Sequence, residues 1–121
     1  MKPLPFFFLF FMLSSQAFAE LQIIEFDAKW CEPCKSLESK IVADPEFCSI
    51  FKKYRGFVKI DIDKFPSLKE KYKVTTIPHY IVVNVSETDG KISTDVVARW
   101  SPPEADPLIS LKNFLKNHLT K

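Results

Sequence analysis

Glycine is nearly absent. Gly56 and Gly90 are the only two in 121 residues, so there is no Gly-rich loop to cradle a phosphate or a dinucleotide, and no cofactor is expected. Cysteine is scarce as well. Cys31, Cys34 and Cys48 are too few and too unevenly spread for a disulfide-stapled mini-protein, which needs an even number. Beyond the first pair, only Cys48, His79 and His118 could serve as soft ligands. They lack the paired spacing of a structural zinc site, so no metal is expected. An excess of one charge sign is also missing. The 17 basic and 15 acidic residues leave +2, interspersed along the chain, which gives no reason to expect nucleic acid or an anionic membrane surface as partner. The long apolar run, Leu4 to Leu13, falls short of the about 20 residues that a membrane span needs.

That run has a recognisable context. Met1-Lys2 precede it; polar Ser14-Ser15-Gln16 and then Ala17-Phe18-Ala19 follow it. This is the charged region, apolar region and small-x-small cleavage site of a secretory signal. Met1–Ala19 is therefore predicted to be a removable signal peptide, with Glu20–Lys121 as the mature domain in a periplasmic or otherwise extracytoplasmic location. No cysteine stands at the cleavage site, so no lipid anchor is expected. Loss of Lys2 leaves 16 basic against 15 acidic residues, or +1. A remainder of this size holds one modest core.

Within it the hydrophobic periods alternate. Leu21–Ala28 reads as a strand, with Ile24, Phe26 and Ala28 on one face and Ile23, Glu25 and Asp27 on the other. Cys31-Glu32-Pro33-Cys34 opens a helix, since Pro33 is tolerable only in a first turn. Cys34, Leu37 and Ile41 form its apolar stripe, and Lys35, Glu38 and Ser39 are expected to face solvent. Asp44-Pro45 breaks and restarts the helix, as N-cap and first helical residue. Phe47, Ile50, Phe51 and Tyr54 then follow at helical spacing, and Gly56 is placed to end the segment. Phe57–Ile62 reads as a strand, Pro66–Tyr72 as a short helix, and His79–Val85 as a buried strand. Thr88-Asp89-Gly90-Lys91 is a hairpin turn leading into Ile92–Trp100. Pro107–Leu119 closes the chain as a helix, with Leu108, Leu111, Leu115 and Leu119 inward. The predicted class is α/β, a central mixed sheet flanked by helices in the order β-α-β-α-β-β-α.

Phe26-Asp27-Ala28-Lys29-Trp30-Cys31-Glu32-Pro33-Cys34-Lys35 resembles the active-site segment of the thioredoxin family. Lys59-Ile60-Asp61-Ile62-Asp63 resembles its central strand, Val74-Thr75-Thr76-Ile77-Pro78 the segment ending in its cis-proline, and Leu111–Leu115 part of its closing helix. The resemblance runs in order through nearly all of Glu20–Lys121. It implies a minimal thioredoxin fold and a thiol–disulfide oxidoreductase, acting as a monomer on disulfide-containing exported proteins and recharged by a membrane or periplasmic electron donor.

The residues suit that chemistry. Disulfide exchange needs a thiolate nucleophile, a resolving thiol and access to the partner's disulfide. A cysteine at a helix start has its thiolate stabilised by free N–H groups and the dipole, which makes Cys31 the expected nucleophile and Cys34, more buried, the resolving thiol. A purely structural bridge is a poor alternative, because closing so short a loop constrains the unfolded chain little. Glu25 stands six positions before Cys31, where the family carries a buried acid, here Glu rather than Asp. Buried, it would have a raised pKa and could take the proton of Cys34; on the surface it would be an ordinary strand carboxylate. Lys59 matches a family position near that acid, or is an exposed strand lysine. The resemblance also implies a cis bond at Pro78, with Ile77 offering its backbone to a substrate peptide, and Trp30 on the docking surface beside Cys31. His79 reads as an ordinary strand histidine, and Cys48 as a buried, inert thiol.

Departures from the family pattern narrow the expectation. The mature chain starts almost at the active-site strand, so the family's first strand and helix have no counterpart and one sheet edge is expected to be bare or covered by a partner. The glycine expected before the last helix is replaced by the stretch Ala98-Arg99-Trp100-Ser101, where Trp100 would reshape the substrate groove. Glu32 places a negative charge beside Cys31, which disfavours its thiolate and makes the pair more reducing. Cys-Glu-Pro-Cys also resembles the motif of extracytoplasmic reductants that serve cytochrome c maturation. Asp44-Pro45 resembles the thioredoxin-like domain of the periplasmic disulfide-interchange reductase. The reducing direction is therefore expected. An oxidase or isomerase, a non-catalytic redox-sensing module and a metal-handling pair stay open as alternatives.

Overall fold

Four strands form one mixed sheet in the spatial order β2-β1-β3-β4, in a computed structural model that describes residues 20–119. The predicted signal segment lies outside the described residues. The elements are β1 (Glu20–Asp27), α1 (Glu32–Val42), α2 (Pro45–Lys52), β2 (Gly56–Asp61), α3 (Pro66–Lys71), β3 (His79–Thr88), β4 (Lys91–Trp100) and α4 (Pro107–Leu119). β1 pairs with β2 in parallel and with β3 antiparallel, and β3 pairs antiparallel with β4. The predicted class holds, and so does the order of the elements along the chain, apart from one helix. The interrupted helix, counted once above, is two helices. Asp44 caps the second, accepting from the Glu46 N–H at 2.9 Å, while Pro45 takes the first helical position. Among the described residues no helix is long and apolar enough to cross a membrane.

The two faces of the sheet bury separate cores. On one, Ile23, Tyr80, Val82 and Trp100 meet Leu37 and Ile41 of α1, Phe47 and Ile50 of α2, and Leu111 and Leu115 of α4. On the other, Ile24, Phe26, Ile60, Ile81 and Val83 pack with Tyr72, Val74 and both Cys31 and Cys34. The alternation in β1 thus serves both faces, as its strand period requires. The hairpin turn places Asp89 and Gly90 at φ 53° and 79°. Two consecutive positive values suit a type I′ turn, whose twist matches that of the strands.

Two local expectations fail. Gly56 does not end a helix. α2 stops at Lys52, and the Arg55 N–H already donates to Leu21 O at 2.8 Å, so Gly56 enters β2 opposite Gln22. The anchor is Tyr54, which is buried and donates its hydroxyl to Leu115 O at 2.7 Å, drawing the chain out of α2 toward α4. Trp100 does not line a groove. It is buried edge-on against Tyr80, and its indole N–H donates to Ser110 Oγ at 2.9 Å. Among the described residues, β2 and β4 are the two edge strands.

Candidate active site

β1 ends at Asp27, and the chain turns through Ala28–Trp30 into α1. The turn is closed by the Cys31 N–H donating to Ala28 O at 3.1 Å. Cys31 is the N-cap of α1, and its Sγ accepts from the Cys34 N–H at 3.2 Å. Sulfur thus occupies the place where unpaired helix N–H groups converge, which is where a thiolate is stabilised once the bridge opens. Cys31 and Cys34 are closed as a disulfide, with Cα atoms 5.3 Å apart. The expectation that Cys34 is the more buried of the two fails. Cys31 is 2% and Cys34 3% exposed, because the closed bridge packs both against Phe26, Ala28 and Val74 in the second core.

What stands in solvent beside the bridge is Trp30, 64% exposed. It is held in place by its indole N–H, which donates to Asp63 Oδ2 at 2.8 Å. Asp63 sits just after β2, its backbone N–H donating to Asp61 Oδ1 at 2.9 Å. On the other side Pro78, fully buried, meets Pro33 and Leu37 of α1 across a cavity of about 130 Å³ that also touches Pro102 and Pro107. The Ile77–Pro78 peptide bond is cis, and Ile77 packs against the core that holds both cysteines. His79 is buried, with Nδ1 3.1 Å from Ser101 Oγ and Nε2 3.4 Å from Arg99. Burial and then the Arg99 charge hold it below the ordinary histidine value.

A second cluster gathers where β1, β2 and β3 meet α1. Glu25 is 3% exposed, not a solvated strand residue. Burial first, then the neighbouring Asp27 carboxylate, pushes it up to about 7. Its hydrogen-bond partner is the buried hydroxyl of Tyr80, directly across from it on β3. Burial, reinforced by Glu25, raises Tyr80 far above the ordinary phenol range. Lys59, opposite Glu25 on β2, lies 3.3 Å from Asp27 Oδ2 and makes a close ion pair with Glu38 of α1. Carboxylate oxygens of Glu25, Asp27 and Glu38 lie within 4.8 Å of one another. Glu38 stands four residues after Cys34, on the same face of α1 and about 6 Å further along its axis.

Glu38, read from periodicity as a solvent residue, is half-exposed at its edge but turned into this cluster. Asp63 and Tyr80 were also missed. No local pattern marks Asp63 or Glu38, since both reach their partners across the fold; for Tyr80, a phenol in a strand of otherwise apolar residues was the available signal. Cys48 is not the buried thiol that its place beside the apolar face of the helix suggests. It is exposed, on the rim of an apolar depression with Val42, Pro45 and Phe51, because Phe47 and Ile50 take the inward positions of α2.

A family model described as Thioredoxin matches residues 12–99. The chain is 38% identical over 65 residues to thioredoxin-1 of Drosophila melanogaster, covering 51% of this chain and 55% of that protein. It is 31% identical over 99 residues to a Staphylococcus aureus thioredoxin, covering 82% and 83% of the two. The chain spans about half the length of several thioredoxins it matches, the rice H-type protein among them. Among solved structures, Fasciola hepatica thioredoxin superposes with a TM-score of 0.61 at 26% identity, over 90% of each chain. Oxidised Plasmodium falciparum thioredoxin gives 0.59 at 27%, over 91% of this chain and 89% of the other.

Proposed function

The chain belongs to the thioredoxin family, and on that premise we propose that it is an extracytoplasmic thiol–disulfide oxidoreductase that reduces disulfides in exported proteins. The observation that carries the reading is the Cys31–Cys34 bridge at the N-cap of α1. In the reduced protein the Cys31 thiolate attacks one sulfur of a substrate disulfide. A Cys31–substrate bond forms, and the other substrate sulfur leaves as a thiolate and takes up a proton. Cys34 then gives up its proton and attacks Cys31 Sγ. The second substrate sulfur departs, and the protein is left with its own disulfide. Two electrons have moved to the substrate, and a dithiol donor must return them.

Glu25 is the acceptor proposed for the Cys34 proton. A carboxyl titrating at about 7 can hold or release a proton near neutral pH, whereas one near 4.5 would stay ionised. Trp30 and the Ile77–Pro78 segment flank the bridge as the docking surface for an extended substrate. The reducing direction is supported by Glu32, a carboxylate immediately after Cys31 at the helix start that opposes thiolate formation. The extracytoplasmic assignment is supported by the charged, apolar and small-x-small pattern of Met1–Ala19.

The test is the equilibrium potential of Cys31–Cys34 in glutathione or dithiothreitol buffers. A value of roughly −270 mV supports a reductase, and one of about −120 mV makes it an oxidase instead. In parallel, Cys34→Ser should accumulate mixed disulfides with client proteins in the cell envelope. Absence of such adducts would remove the exchange reading altogether.

A further inference from the structure

Four charged or titratable groups face the Glu25 carboxyl, one from each neighbouring element: Asp27 on β1, Glu38 on α1, Lys59 on β2 and Tyr80 on β3. Only Lys59 is a cation. Register sets Lys59 directly opposite Glu25, so a Lys59–Glu25 pair would be the default for two neighbouring strands. The structure does otherwise. Among the described residues the ion pairs of Lys59 go to Glu38 and Asp27, and none goes to Glu25. The close Glu38 contact draws the ammonium toward α1. Glu38 and Lys59 also line two open depressions: a cleft of about 350 Å³ that reaches Asp27 and Asp61, and a recess of about 270 Å³ that Glu25, Tyr80, Phe51 and Phe57 also line.

We infer that Glu38 is a positioning residue: by holding Lys59 on the α1 side of this recess it withholds the cation from Glu25, and so leaves the buried carboxyl with the Tyr80 hydroxyl in place of an ionic partner. Two physical effects act in the same direction. A captured ammonium offers less Coulombic relief to Glu25. The Glu38 charge itself also raises the Glu25 pKa, while Lys59 lowers it. For catalysis this deepens the oxidoreductase reading and rests on it: Glu38 would tune the proton acceptor of the resolving step without touching sulfur. The geometry around Glu25 does not depend on that reading.

The experiment follows Glu25 by carboxyl-carbon NMR in oxidised protein titrated from acid to alkaline pH, in wild type, E38Q, K59M and the double variant E38Q/K59M. Glu38 and Lys59 are half-exposed, so these variants should fold. Wild type should titrate near 7. E38Q should lower the midpoint by about one unit as Lys59 swings to Glu25, and K59M should raise it. In the K59M background, the E38Q shift should fall to less than half, because only the direct charge effect is left. An E38Q midpoint within about 0.2 units of wild type, or above it, overturns the inference. An equal E38Q shift in both backgrounds also overturns it, by showing that Glu38 acts through its own charge and not through Lys59. Disulfide exchange is assayed separately. Wild type that fails to reduce a disulfide overturns the oxidoreductase reading while leaving the titration result intact.

Discussion

Replacing Glu25 by Gln keeps the size of the side chain and its acceptor for the Tyr80 hydroxyl, but removes the ionisation. The structure gives this change a definite energy. Glu25 titrates at about 7 in the folded chain against 4.5 for an unperturbed carboxyl, so the folded state binds the proton more tightly. Its stabilising contribution is complete below the unfolded value and is lost as pH rises through the folded one. The gap of about 2.5 units, at 1.36 kcal/mol each, is worth about 3 kcal/mol. Oxidised wild type should therefore lose about 3 kcal/mol relative to E25Q between pH 4 and pH 8. Measuring oxidised protein keeps Cys31 and Cys34 from titrating. The buried His79, held below its ordinary value, pushes stability the opposite way with rising pH, but equally in both proteins, so the difference isolates Glu25. Urea unfolding read by tryptophan fluorescence should separate the two midpoints by between about 1 and 3 M at pH 8, while at pH 4 they nearly coincide. Parallel pH profiles, with a difference that stays under about 1 kcal/mol throughout, would show that the carboxyl is solvated and that the burial argument fails.

Other parts of the structure are open to simpler checks. Phe47→Ala empties a fully buried site between α2, α4 and the sheet, and should cost about 3–5 kcal/mol in urea unfolding; a loss below 1 kcal/mol would mean that α2 is not docked there. Tyr54→Phe deletes the hydroxyl that donates to Leu115 O and should cost about 1 kcal/mol, with no change in the Cys31–Cys34 potential. Because Cys48 is exposed while the other two cysteines are bridged, iodoacetamide should add one label per native oxidised chain by mass spectrometry. A chain that takes label only after unfolding would contradict that exposure.

Much of the fold is legible in the chain because its signals are local. The strand period of β1, the Pro33 and Pro45 helix starts, the Asp89-Gly90 turn and the leucine spacing of α4 each depend on residues within a few positions of one another. The Cys31–Cys34 pair was readable for the same reason: two thiols three residues apart at a helix start meet whatever the rest of the chain does. The end of α2 was not readable, since the Tyr54 hydroxyl finds its acceptor 61 residues away on α4. Periodicity placed Cys48 beside the apolar face of α2, but packing gives the inward positions to Phe47 and Ile50.

The state of Glu25 was the least legible of all. Its position before Cys31 marked it as a candidate, yet the same residue on a strand could equally have been a surface carboxylate. Burial, and the capture of Lys59 by Glu38, come from strands and a helix brought together from distant parts of the chain. Local sequence determined which groups carry the thiol chemistry. Only the tertiary structure decided the electrostatic setting of the buried acid, because desolvation and Coulombic coupling depend on distances through space and not on separation along the chain.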